Sequence, residues 1–206
     1  MRITNRVAAA VVAIATTIGI AQAQDAPTTR ETVNRASHVC VACHGDGGRS
    51  ENPVIPSLAG QSRTYLVAQL RDFRSQVRAE PGARGYMWGI SALLDDATID
   101  GLADHFAAQT PAPGKPGKPG LVQAGREIFV NGIPARGVIA CATCHGEGAR
   151  GAAGFPRLAG QQADYVYAQL KVFGTALRPH GLVMRAEVKP LSPTDMRAVA
   201  EYVQSL

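Results

Sequence analysis

The feature that most restricts this chain is a five-residue pattern that occurs twice. Residues 40–44, Cys-Val-Ala-Cys-His, are matched by residues 141–145, Cys-Ala-Thr-Cys-His, and the two copies use all four cysteines of the sequence. Cysteines at i and i+3 lie on one face of a helical turn, so both thiols can reach the two vinyl groups of one porphyrin, with the following histidine under the iron. This is the pattern of a c-type haem attachment site. The sequence therefore predicts two covalently bound haem c groups.

Two other kinds of site also use a Cys-x-x-Cys pair. A zinc site with four cysteines would require the two copies to converge across about a hundred residues, and it would not need a histidine after the second cysteine. A thioredoxin-like redox motif occurs once, in a strand–helix context. Two copies in matching contexts therefore favour haem.

Residues 1–23 have the pattern of a secretory signal peptide. Arg2 and Arg6 precede an apolar run from Val7 to Ile20, and the small-residue cleavage site is at 21–23. The run is shorter than the roughly 20 residues that a membrane-spanning helix needs. We therefore expect cleavage and export to the periplasm. A retained segment would instead hold the protein loosely at the inner membrane.

The net charge of +5 does not indicate a nucleic-acid partner. Removing Arg2 and Arg6 with the leader lowers the charge to +3, and four ionised propionates on two haems would bring it to about −1. The basic residues are also not clustered as a nucleic-acid footprint would require. We therefore expect no nucleic acid to bind.

The sequence around the two motifs is duplicated as well. Each half is predicted to contain a helix before the motif, a helix with an apolar stripe, and a final helix that starts at a capping residue. In the first half the first helix runs into the motif, whereas in the second half a Gly/Pro loop follows it. The corresponding stripes are Leu66, Leu70, Phe73 and Val77 in one half and Val166, Leu170, Phe173 and Leu177 in the other. A Pro/Gly-rich linker at 111–120, in which no helix or strand is expected, separates an N-terminal domain (24–110) from a C-terminal domain (121–206).

Matching methionines are candidates for the second axial ligand of each iron. Met87 follows His44 and Met184 follows His145 at similar separations along the chain, each in a predicted loop before the final helix. A thioether ligand raises the reduction potential relative to harder ligand sets. Methionines that merely fill the core are the alternative, which the matched positions disfavour. For the second haem, His180 is a rival ligand, but it matches no histidine in the first half.

The proximal histidines are each expected to donate their other ring nitrogen to a backbone carbonyl. Pro56 follows His44 and Pro156 follows His145 at nearly the same short spacing. A proline there would offer a rigid carbonyl without a competing N–H. The alternative is that both are ordinary turn prolines.

Taken together, these residues resemble the cytochrome c4 family of exported dihaem cytochromes. The likeness runs from about Arg30 to Leu206 and includes the Pro-x-Leu-Ala-Gly-Gln segments at 56–61 and 156–161, with the pairs Tyr65/Gln69 and Tyr165/Gln169. The resemblance implies an all-α fold of two tandem class I cytochrome c domains. It also implies haem c anchored by Cys40 and Cys43 and by Cys141 and Cys144, with His44/Met87 and His145/Met184 as iron ligands.

The function that the resemblance implies is electron carriage and not enzymatic catalysis. Six ligands leave neither iron a free position, so an electron would pass by outer-sphere transfer from a quinol–cytochrome c reductase toward a haem–copper oxidase. An electron-transfer subunit of a periplasmic dehydrogenase would use the same site residues. A dihaem peroxidase or a thiosulfate-oxidising enzyme would need an accessible iron or an unusual ligand. Arg157 departs from the repeat because Ser57 is its counterpart, so a propionate contact expected for Arg157 cannot hold in the first half.

Overall fold

All regular structure in the computed structural model, which describes residues 29–206, is helical. Within that range no strand forms, and only two isolated β-bridges occur, so the all-α prediction is confirmed. The leader predicted at 1–23 lies outside the described residues. No helix within 29–206 is long and apolar enough to cross a membrane.

The described residues contain nine α-helices in two groups. The first half comprises α1 (Thr29–His44), α2 (Arg63–Arg74), α3 (Trp88–Ser91) and α4 (Asp96–Ala107), with a π-helical turn at Ala83–Met87 directly before α3. The second half comprises α5 (Pro119–Asn131), α6 (Ala142–His145), α7 (Ala163–Phe173), α8 (Leu182–Val188) and α9 (Pro193–Gln204).

Each half has its own hydrophobic core, built around its last helix. Helix α4 packs against α1 and α2, and its predicted stripe is fully buried: Ile99, Leu102, Ala103 and Phe106. Helix α9 packs against α5 and α7 in the same way, around Phe129, Val199 and Val203. Burial of these stripes holds the two haem motifs, at the end of α1 and in α6, against separate cores.

The predicted caps of the two final helices are confirmed. The Asp95 carboxylate accepts a hydrogen bond from the Thr98 N–H at 2.7 Å. Ser192 and Asp195 form a reciprocal capping box at the start of α9, with Pro193 at the first helical position. These contacts satisfy backbone N–H groups that have no partner within the helix.

The structure differs from the predicted elements in three places. Helix α2 ends at Arg74, and the Ser75 N–H and hydroxyl both bond to the Arg71 carbonyl in its last turn. Gln76 follows with φ 60°, so Val77 lies beyond the helix and not on its stripe. Leu177 likewise lies beyond α7, which ends at Phe173.

The other two differences concern the methionines and the linker. Met87 ends the π-helical turn and Met184 lies within α8, so neither is in the irregular loop predicted for it. Helix α5 begins at Pro119, inside the predicted linker, because proline is well suited to a first helical position. The preceding residues pack along α9, where the N–H of Lys115 donates to the Gln204 carbonyl at 2.9 Å.

A buried cluster of polar side chains joins the two halves. The guanidinium groups of Arg78 and Arg178 stack on Phe73 and Phe173, at 4.5 and 4.2 Å from the ring centres. Each guanidinium bonds to a glutamine and a tyrosine of the opposite half: Arg78 to Gln169 and Tyr165, and Arg178 to Gln69 and Tyr65. Polar groups that bond across an interface in this way fix the orientation of the two halves.

Candidate haem sites

The first site is built at the end of α1, which carries Cys40, Cys43 and His44. The buried His44 ring donates from Nδ1 to the Pro56 carbonyl at 2.7 Å. A carbonyl has no proton to give, so Nδ1 carries the proton and Nε2 has the free lone pair. Burial lowers the pKa of His44, and the bond to Pro56 opposes it only in part. The imidazole is therefore neutral, as an iron ligand must be.

The second site repeats this arrangement around α6. His145 is buried and donates from Nδ1 to the Pro156 carbonyl at 3.0 Å, and burial lowers its pKa. Its Nε2 is buried without a hydrogen-bond partner among the described residues. A buried nitrogen left in that state costs free energy, unless it binds a metal. The predicted contacts of both histidines with Pro56 and Pro156 are confirmed.

The cysteine thiols at both sites are unpaired. Burial raises the pKa of Cys40 to about 11 and that of Cys141 to about 11. Burial therefore disfavours the thiolate form of these two cysteines. Across 29–206 no group of three or more His, Cys, Asp or Glu side chains converges on a common metal position. Neutral thiols in a part-buried apolar setting suit thioether bonds to a porphyrin.

The candidate methionine ligands are both half-buried. The Met87 carbonyl accepts a hydrogen bond from the Ser91 hydroxyl at 2.6 Å, which ties the π-helical turn to α3. Met184 packs against the core of the second half. The rival ligand His180 is directed elsewhere: its Nδ1 lies 2.7 Å from the Asp72 carboxylate of the first half, and its side chain is 68% exposed. The structure therefore does not bring His180 into the second site.

Three buried or part-buried arginines also belong to this region of the molecule. The sequence indicated a role for Arg157 but none for Arg78 and Arg178. The Nε of Arg157 is buried without a partner in the described structure, and burial, together with nearby Arg150, lowers its pKa. An unpaired guanidinium N–H suits an anionic group such as a haem propionate. The buried pair Arg78 and Arg178 was not identified, although both follow the matched phenylalanines at the same spacing; that spacing was the available signal.

Comparison with known proteins agrees with this geometry. Residues 122–206 match the cytochrome c family model. Cytochrome c4 from Thiocapsa roseopersicina is 39% identical over 180 residues, which cover 84% of this chain and 89% of that protein. The chain belongs to the cytochrome c4 family. The reduced recombinant cytochrome c4 from Pseudomonas stutzeri has the same fold, with a TM-score of 0.77 and 34% identity over 86% of this chain and 98% of that one.

A further relative carries a more specific name. The thiosulfate dehydrogenase electron acceptor of Thiomonas intermedia is 35% identical over 173 residues, or 80% of this chain and 76% of that protein.

Family membership confirms the predicted architecture and cofactors. The chain folds as two tandem class I cytochrome c domains and carries two covalently bound haem c groups, which the two Cys-x-x-Cys-His motifs fit. The buried, unpartnered Nε2 of His145 is suited to an iron ligand. The protein is a dihaem electron carrier that exchanges electrons with redox protein partners.

Proposed function

We propose that this protein is a periplasmic carrier that takes one electron at a time from a quinol–cytochrome c reductase and passes it to a terminal oxidase, without catalysing a reaction of its own. Its N-terminal domain would span 24–110 and its C-terminal domain 121–206, joined by 111–120 after cleavage of a signal peptide at 1–23. The observation that carries the proposal is the pair of matched histidine–proline contacts, each leaving Nε2 directed away from its only backbone partner.

Each domain would hold its haem through four side chains. Cys40 and Cys43, or Cys141 and Cys144, would form the thioether bonds. His44 with Met87, and His145 with Met184, would be the axial ligands. When bound, the haem would supply a one-electron Fe(III)/Fe(II) couple, and a thioether ligand from methionine would favour the ferrous state. The carbonyls of Pro56 and Pro156 keep both histidines in the required tautomer and orientation.

The surface next to both methionines supports electron exchange by direct contact with a partner. Tyr86 and Ile90 flank Met87 and are 75% and 43% exposed, and Leu182 and Val183 precede Met184 at 66% and 56%. Neighbouring exposed apolar side chains mark surfaces that contact other proteins. Short-lived contacts suit a carrier that must dock, exchange an electron and leave.

The ligand assignment is tested by the optical spectrum and mass of the purified protein. We expect the mass of two haems per polypeptide and, when oxidised, the weak long-wavelength band that iron–thioether bonds produce. Met87→Ala should remove about half of that band and leave the mass of two haems unchanged. High-spin iron in the wild-type protein, or turnover of peroxide, would contradict the proposal and favour an enzyme.

A second candidate function is electron acceptor for a periplasmic thiosulfate dehydrogenase. It is favoured by the relative of that name in Thiomonas intermedia. Stopped-flow reduction of the oxidised protein by each purified donor separates the two candidates. Rapid reduction by the reductase and slow reduction by the dehydrogenase supports the first, and the reverse order supports the second.

A further inference from the structure

The peptide that holds each proximal histidine is also held by the opposite half of the molecule. The carbonyl of the Pro56–Ser57 peptide accepts the bond from His44, and the N–H of the same peptide donates to Oε1 of Gln161 at 2.8 Å. The Gln161 Nε2 in turn donates to the Ser57 carbonyl at 2.9 Å. One side chain of the second half therefore makes two hydrogen bonds to the backbone segment that orients the histidine of the first half.

The reciprocal contact has the same geometry. The Pro156–Arg157 peptide accepts from His145 through its carbonyl and donates through its N–H to Oε1 of Gln61 at 2.8 Å, while Gln61 Nε2 donates to the Arg157 carbonyl at 2.9 Å. Both glutamines are only 6% exposed. All four bonds measure 2.8–2.9 Å, so the contacts are direct, and the cavity between the glutamines, about 10 Å³, has room for one water at most.

Bonds at the two ends of one peptide group strengthen each other. A peptide whose N–H is hydrogen-bonded has a more negative carbonyl oxygen, because hydrogen bonds in a chain polarise one another. A stronger bond from that oxygen to the histidine Nδ1–H makes the imidazole more basic. A more basic ligand stabilises ferric iron and so lowers the reduction potential.

Each glutamine is itself fixed in orientation within its own half. Oε1 of Gln61 also accepts from the Ser62 N–H at 2.8 Å, and Oε1 of Gln161 accepts from the Gln162 N–H at 3.1 Å. Since these N–H groups only donate, each amide oxygen is held toward the peptide that it contacts across the interface. If either side-chain amide flipped by 180°, its oxygen would lose hydrogen bonds to N–H groups of both halves.

We propose that Gln61 and Gln161 are positioning residues that set the reduction potential of the haem in the opposite half. Gln161 acts on the first haem through Ser57, Pro56 and His44, and Gln61 acts on the second through the equivalent peptide. Each potential then depends on docking of the other half. The proposal rests on the histidine ligands of the proposed function.

The test compares Gln161→Leu and Gln61→Leu in the holoprotein, with redox titration of each haem followed by NMR, which resolves the two. We expect Gln161→Leu to raise the potential of the first haem selectively. A two- to threefold change in its ferric-to-ferrous ratio corresponds to ~20–30 mV, at 59 mV per tenfold for one electron. Gln61→Leu should do the same to the second haem. Gln161→Glu should lower the first potential, because a carboxylate is a stronger acceptor.

Gln162→Leu is the matched control. Gln162 is also buried and its side chain crosses the interface, but its Nε2 donates to the Ser50 carbonyl and not to the Pro56–Ser57 peptide. Its contact with Gln161 is made by the backbone N–H, which leucine keeps. It should leave both potentials unchanged. Shifts of equal size in Gln162→Leu and Gln161→Leu, or a shift confined to the haem of the mutated half, would overturn the proposal. Unchanged potentials in variants that keep two His/Met haems would overturn this inference alone. Wild-type protein without such haems would overturn the proposed function with it.

Discussion

The close contact between α5 and α9 predicts that a substitution at Gly125 of α5 destabilises the protein more than one at Gly101 of α4. A methyl group added at Gly125 would lie 2.0 Å from the Ala198 carbonyl oxygen and 2.8 Å from Tyr202 Cβ, both on α9. The equivalent crossing in the first half is less rigid, because a methyl group at Gly101 would meet only the Val33 side chain, at 2.4 Å. Backbone cannot move aside as a side chain can, so Gly125 is the more demanding position.

The cost of Gly125→Ala follows from that distance. The contact must open from 2.0 Å to at least 3.0 Å, which separates two packed helices by about 1 Å. Overpacking of this kind costs roughly 1–3 kcal/mol, and the rigid backbone on the far side places it at the upper end. The higher helix propensity of alanine returns up to about 1 kcal/mol. A net loss of about 2 kcal/mol lowers the Tm of a domain of roughly 60–100 residues by about 8–16 °C.

Thermal unfolding of the holoprotein, followed by far-UV circular dichroism and haem absorbance, measures this loss. Gly120→Ala is the control in the same helix, since nothing lies within 4 Å of the added methyl, and it should leave the Tm unchanged or slightly raised. Gly101→Ala should fall between the two. If Gly125→Ala had the same Tm as Gly120→Ala, or if Gly101→Ala had the lowest Tm of the three, the reasoning from helix separation would be refuted.

Three further predictions concern charge and ligation. Glu80→Gln removes the buried carboxylate that lies 2.6 Å from a buried guanidinium and should cost about 3–5 kcal/mol, whereas Asp164→Asn, in an exposed ion pair, should cost less than about 1 kcal/mol in urea titrations. Burial alone would raise the pKa of Asp195, but its hydrogen bonds hold that pKa below the ordinary 3.8. Its contribution is therefore complete above that pH and lost as pH falls through the lowered value, so Asp195→Asn should flatten the acid limb of a stability–pH curve. Met184→Ala should give one high-spin haem by optical spectroscopy, and His180→Ala should leave both haems low-spin; loss of the ligand with His180→Ala would refute the Met184 assignment.

The histidine contacts could be predicted from the sequence because they depend on short spacings. His44 and Pro56 are close in the sequence with glycines between them, so the chain can fold back on itself within one loop. Gly45 has φ 79°, which places the carbonyl-bearing segment beside the histidine at little cost only for glycine. The final helices were equally predictable, since a cap and an apolar stripe lie in one continuous segment.

The surroundings of Met87 were not predictable in the same way. Gly82, Gly85 and Gly89 indicate a loop by composition, yet the chain is helical there. The Trp88 indole N–H donates to the Arg78 carbonyl at 2.8 Å, so tertiary contacts outweigh local propensity. The Arg78 carbonyl lies outside the helical turn, in the buried interface, so its contact with Trp88 leaves no periodic signal in the sequence.

The interface itself follows from duplication in a way that a single domain would not reveal. When two copies of one sequence face each other about a twofold axis, a contact from i to j is repeated from j to i. The glutamine at the end of each Pro-x-Leu-Ala-Gly-Gln segment therefore makes two hydrogen bonds to the backbone of the opposite segment, Gln61 to Arg157 and Gln161 to Ser57. After the duplication, a substitution in one half changes only one of the two matched contacts.

The two halves differ in charge at one matched position of the interface, which is Glu80 in the first half and His180 in the second. Glu80 neutralises Arg78, whereas its counterpart His180 turns outward. Arg178 pairs with no carboxylate among the described residues. Arg178 is instead held by the neutral side chains of Gln169, Gln69 and Tyr65. The buried cluster between the halves therefore contains two arginines and one carboxylate, and its charge pairing does not repeat from one half to the other.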